Sequence, residues 1–214
     1  MGLASLLFSN PALFFILAVL LLYSVIAHEV AHGWVAHLFG DNTAKNSGRL
    51  TLNPVSHIDP LGAIMLLLVG FGWAKPVPVD FYRLKNYRVG LIAVSLAGCL
   101  ANILIATIGI FFLQFPAINT NPMLKVIFTI LVRVNIILGA FNLIPIPPLD
   151  GSKILMAFLS VSGQQIMARL ERYGFFIIII LLYTGLLNPV ITFMQNLIYT
   201  VIYLLFRLFG QKPY

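Results

Sequence analysis

Charge is scarce in this chain. Only 9% of its 214 residues are charged and 60% are hydrophobic, and the six acidic residues are outnumbered by thirteen basic ones. A soluble domain carries about 25% charged residues, so most of this surface is built for lipid rather than water. Cysteine is nearly missing as well. Cys99 stands alone, which excludes an intrachain disulfide and leaves the redox compartment unread. Residues 1–9 hold no basic side chain, so the n-region of a cleaved signal peptide is absent and the first apolar segment is expected to stay. The chain shows no repeat, no low-complexity linker and no stretch polar enough for a second folded unit. One polytopic membrane domain over residues 1–214 accounts for the length. The net charge of +7 does not point to nucleic acid, because the basic residues gather in particular loops instead of on one exposed face.

Long apolar runs, by contrast, are plentiful. Membrane spans are predicted over about Pro11–Leu38, Val89–Phe115, Leu124–Ile144, Tyr173–Leu187 and Val190–Phe209. The fourth is short and ends at Asn188 and Pro189. Leu61–Gly72 is also apolar but too short to cross, which suits a re-entrant segment. Gly48–Leu52 alternates polar and apolar residues, and Lys75–Val79 carries prolines that forbid helix, so both read as short membrane-associated β-strands. The predicted fold class is mainly α: a polytopic membrane protein of about five transmembrane helices, a re-entrant segment and short strands. With five spans, eleven of the thirteen basic residues fall on one side, and loops 116–123 and 188–189 hold none. Basic loops stay in the cytoplasm, which places the N-terminus outside and the C-terminus inside. No organelle signal is present, which points to a prokaryotic plasma membrane.

Near the inner end of the first span stands His28-Glu29-Val30-Ala31-His32. Residues four apart share a helix face, so both imidazoles can reach one zinc ion, with Glu29 placed as general acid/base. Ionisable groups inside an apolar span are costly and seldom idle. A catalytic zinc takes three protein ligands. His37 falls on the opposite helix face, and Val35 and Leu38 break the metzincin extension. Glu171 lies between Arg169 and Arg172 as a surface charge, while Asp41, Asp59 and Asp80 stay open in the long inner loop. Asp150 is the preferred third ligand: it closes Asn142–Gly151 at the inner end of the third span, which runs in the same direction as the first. Pro145, Pro147 and Pro148 break the helix there, which lipid tolerates only under protein or water. Asn142 is a candidate for holding substrate or an oxyanion, or equally for tying helices together. His57 and Asp59 either support the metal or fix their loop, and Arg133 lies inside the third span. Ala93, Ala97 and Ala101 recur every fourth residue and suit close helix packing.

The chain resembles the site-2 protease family of intramembrane zinc metalloproteases in its short form. The resemblance rests on His28–His32, Asn53–Gly62, Gly72–Val79 and Asn142–Gly151, spread over most of residues 20–155. It implies that His28, His32 and Asp150 bind Zn2+ and that Glu29 is the catalytic acid/base. It also implies cleavage of single-span transmembrane protein substrates within the bilayer, often after another protease has trimmed them. Cys99 stands where the family usually has proline, which bears on a local kink. The loops are too short for the PDZ domain of longer relatives. The competing function, a membrane metal transporter or sensor using the same ligands, predicts ligands through the whole bilayer, whereas here they gather at one depth.

Overall fold

The computed structural model describes residues 3–69 and 72–208. Its helices are α1 (Leu3–Ser9), α2 (Pro11–Leu38), α3 (Thr43–Asn46), α4 (Pro60–Val69), α5 (Tyr87–Leu113), α6 (Pro116–Asn119), α7 (Pro122–Asn142), α8 (Asp150–Met156), α9 (Val161–Tyr183) and α10 (Asn188–Leu208). Proline at the first helical position, after an asparagine whose side chain accepts a backbone N–H, starts both α2 (Asn10, Pro11) and α7 (Asn121, Pro122).

Four helices, α2, α5, α7 and α10, are long and apolar enough to cross a membrane. The expected fourth span, Tyr173–Leu187, instead falls on the C-terminal half of α9 and the turn after it, and the first half of α9 carries Arg169, Glu171 and Arg172. That polar half suits an interface, so the helix as a whole falls short of an apolar span. The predicted re-entrant segment forms the ten-residue helix α4, with its last expected residues outside or at the edge of the described ones.

The predicted β-strands at Gly48–Leu52 and Lys75–Val79 are not formed; no strand occurs among the described residues. Pro76 and Pro78 have no N–H to offer a ladder. The N–H groups of the residues before them go elsewhere: Lys75 donates to His57 O at 2.8 Å and Val77 to Glu29 Oε2 at 2.9 Å. The Arg49 guanidinium caps the Lys75 and Pro76 carbonyls at 2.8 and 3.1 Å. The two segments are thus joined by side chains in place of paired backbone.

α5 packs between α2 and α7 and forms the centre of the bundle. Ser95, Gly98, Asn102, Ala106 and Gly109 lie buried along it at helical spacing, whereas Ala93 and Ala101 are half-buried. α10 closes the far side through a core of Ala106, Val132, Ile136, Ala140, Ile198, Ile202 and Phe206. The proline-rich link from α7 to α8 is anchored by Ile144 and Leu149 against Ile178 of α9 and Leu187. Gly174 lets α9 approach this link so closely that a Cβ there would clash with the Pro147 carbonyl. The result is a rigid frame that holds the start of α8 against the middle of the bundle.

Candidate metal centre

Two regions 118 residues apart in sequence meet here. His28 and His32 lie on one face of α2, one turn apart, and Asp150 opens α8. His28 Nε2 and His32 Nε2 are 3.0 Å apart, and each is 3.1 Å from Asp150 Oδ2. All three residues are buried.

The partners of these side chains determine which atoms face one another. Asn102 Nδ2 donates to Asn135 Oδ1 at 2.8 Å and to Ser24 O at 3.3 Å, so its Oδ1 faces His28 Nδ1 at 2.7 Å. His28 must therefore donate from Nδ1. His32 Nδ1 faces the Val94 carbonyl at 2.6 Å and must donate as well. Both Nε2 lone pairs are left pointing at a carboxylate oxygen that, among the described residues, receives no hydrogen bond. Three acceptors at this separation repel unless a cation lies among them. Two imidazole nitrogens and one carboxylate oxygen are the ligand set of a catalytic zinc with an open fourth position. The residues therefore fit the metal.

The support behind His28 is continuous. Asn135 Nδ2 donates to Ser24 Oγ and to Leu131 O, each at 2.8 Å, and Ser24 Oγ donates to Leu20 O at 2.6 Å. Ser24, Asn102 and Asn135, from three different spans, are fully or almost fully buried. A hydrogen bond to the ring nitrogen away from a metal fixes the tautomer and orientation of the ligand. Gly98 contributes by having no side chain: a Cβ there would lie 2.5 Å from both His28 Cε1 and His32 Nε2. None of Ser24, Gly98, Asn102 or Asn135 was assigned a role from sequence. The available signal was polar side chains in otherwise apolar spans.

Glu29 is half-buried, with Oε2 bound to the Val77 N–H. Asn142 sits at the end of α7 and donates from Nδ2 to Leu138 O at 3.0 Å, a bond within its own helix. His57 and Asp59 shape their loop: His57 Nε2 meets Thr51 O at 2.8 Å and Asp59 Oδ1 accepts from Gly62 N at 2.9 Å. His37 turns away to Asn42 and Lys45. Asp41 is buried and binds the Thr43 and Asp80 N–H groups. Cys99 is buried within an unbroken α5.

Comparison with known proteins agrees with this chemistry. Residues 117–185, which include Asp150 but not the histidines, match peptidase family M50. The chain is 40% identical over 189 residues to "Putative zinc metalloprotease YwhC" of Bacillus subtilis, covering 84% of this chain and 85% of that protein. It is 31% identical over 178 residues to the similarly named Rip2 of Mycolicibacterium smegmatis, covering 78% of this chain and 66% of the relative. Zinc metalloprotease MJ0392 of Methanocaldococcus jannaschii is 29% identical over 154 residues, which are 71% of this chain and 37% of that longer protein. No solved structure matches significantly. By its likeness to YwhC over most of both chains, this integral membrane protein belongs to peptidase family M50, the site-2 protease family of zinc metalloproteases.

Proposed function

We propose that this chain is an intramembrane endopeptidase that hydrolyses peptide bonds of single-span transmembrane proteins within or next to the bilayer. The observation that carries the reading is the buried cluster of His28, His32 and Asp150 among helices apolar enough to span a membrane. A bound zinc ion supplies Lewis acidity, activating water and polarising the scissile carbonyl. Glu29 takes the proton released as water attacks and returns it to the leaving amine. The Val77 N–H holds one oxygen of that carboxylate, and among the described residues Oε1 makes no hydrogen bond, leaving it open for proton transfer. Asn142 has a second amide N–H beyond the one on Leu138 O, and we assign it to the substrate carbonyl or its oxyanion.

In this reading residues 1–214 act as one domain in a prokaryotic plasma membrane. The N-terminus is outside and the C-terminus cytoplasmic. That orientation requires the apolar half of α9 to carry the chain back towards the outside, which cysteine accessibility at Asn188 and Ser160 reports directly. The catalytic reading is tested with Glu29→Gln in liposomes, measuring bound zinc and cleavage of a single-span substrate together. Zinc should remain near the wild-type level while cleavage drops by about 10²–10⁴-fold. Cleavage at the wild-type rate by a zinc-loaded Glu29→Gln protein sinks the role of Glu29.

A further inference from the structure

Arg133 is exposed in the middle of α7, and among the described residues it has no hydrogen-bond or ion-pair partner. Its position limits how that charge can be satisfied. α7 runs over 21 residues, Pro122–Asn142. At the helical rise per residue, the Arg133 Cα lies about 16 Å from one end and about 13 Å from the other. An extended arginine side chain covers roughly 7 Å, so the guanidinium falls short of both ends. Its neighbours on the same stripe are aliphatic: Val126 and Ile137 are exposed at 44% and 49%, with Ile130 between them half-buried. Val132, Val134, Asn135 and Ile136 turn inward, so the metal centre and Arg133 lie on different faces of α7.

A guanidinium at this depth is best satisfied by a carboxylate, and among the described residues no carboxylate of this chain reaches it. Glu29 is held by Val77, Asp41 by Thr43 and Asp80, Asp59 by Gly62, and Asp80 pairs with Arg83. Asp150 belongs to the metal cluster and Glu171 to the polar half of α9. A second copy of the chain offers only Glu171, which lies between Arg169 and Arg172 on a helix that is not among the apolar spans and so is poorly placed to meet Arg133 at mid-bilayer depth. We infer that the Val126–Ile130–Arg133–Ile137 face of α7 docks a transmembrane helix of another protein that carries an aspartate or glutamate at mid-bilayer depth. The aliphatic residues pack against that helix, and the planar guanidinium takes its carboxylate in a two-point pair. This contact stands apart from the catalytic reading, because it needs neither metal nor cleavage.

The test uses the full chain in phosphatidylcholine vesicles, with and without 25% phosphatidylglycerol, and fluorescence transfer to labelled single-span leucine/alanine peptides. One peptide carries a central aspartate, a second a central asparagine, and a third an aspartate near one end. The central-aspartate peptide should associate at least 10-fold more tightly than the other two in both lipid mixtures. Arg133→Leu and Arg133→Gln should remove that preference while retaining bound zinc, which reports an intact fold. Arg133→Asp should transfer the preference to a central-lysine peptide. Equal association of the aspartate and asparagine peptides, or a preference that survives Arg133→Leu, overturns the proposal. So does loss of the preference once phosphatidylglycerol is present, since lipid phosphate would then be the partner of Arg133.

Discussion

α5 and α10 are both apolar helices long enough to cross a membrane, but they do different work. Half of the most apolar stretch of α5 is buried (50%), against 17% for α10. α5 sits between α2 and α7 and holds Ser95, Gly98 and Asn102 in its interior. α10 buries only the stripe Ile198, Ile202 and Phe206 and turns residues such as Phe193, Leu197 and Leu204 outward. The central helix can carry small and polar residues because neighbouring helices touch the small ones and hydrogen-bond the amide. The outer helix carries amides too, but its Gln195 is half-buried and its Asn196 exposed, so neither is enclosed as Asn102 is. Position in the bundle, more than apolarity, decides what each helix can contribute.

This contrast is sharpest at Gly98. Gly98→Ala places a Cβ where the imidazoles of His28 and His32 stand, and neither ring can move without losing Asn102 or Val94. Purified protein should bind zinc at least ~100-fold more weakly, read by competition with a chelator. Wild-type affinity in Gly98→Ala would mean that the rings are held more loosely than their hydrogen bonds indicate.

Asn102→Leu is the next largest effect. It leaves the His28 Nδ1–H and the Asn135 carbonyl oxygen without their partner, so zinc affinity should fall about 10–100-fold. Asn102→Asp retains an acceptor for His28 and should recover part of that loss. A purely structural role would lower thermal stability without separating the leucine and aspartate variants in zinc affinity.

Smaller again is the difference expected within α10. Ile198→Ala opens a gap in the core shared with α5 and α7 and should cost about 2 kcal/mol. Phe193→Leu on the exposed face should stay within about 0.5 kcal/mol. Unfolding in mixed micelles measures both, and equal effects would show that α10 is not seated as described.

Much of the bundle was legible in the sequence because a membrane imposes length and apolarity locally. The predicted Pro11–Leu38 span has the bounds of α2, and those of α5, α7 and α10 differ from prediction by about two residues. The strands were misread because alternation and valine content describe a preference for extended backbone. They do not describe where its N–H groups go. The Lys75 and Val77 N–H groups bind His57 and Glu29, and the prolines that follow each of them have none to offer a ladder. α9 was misjudged for another reason: its helix begins twelve residues before the apolar run, at the Ser160 cap, and carries charges into its first half.

The sequence by itself determined the solvent and the apolar lengths of α2, α5, α7 and α10, and it put the candidate ligands His28 and His32 on one helix face with Glu29 beside them, since each follows from residue types a few positions apart. It also pointed to Asp150, just beyond a span expected to run parallel to the first. Only the tertiary structure decided which atoms face the metal. Asn102 lies 74 positions from His28, and Val94 lies 62 from His32. Those contacts set the imidazole tautomers, and Gly98 leaves the room they occupy. Contacts of this kind form when buried polar groups from separate helices must satisfy one another in the absence of water. A pattern of local spacing does not carry that information.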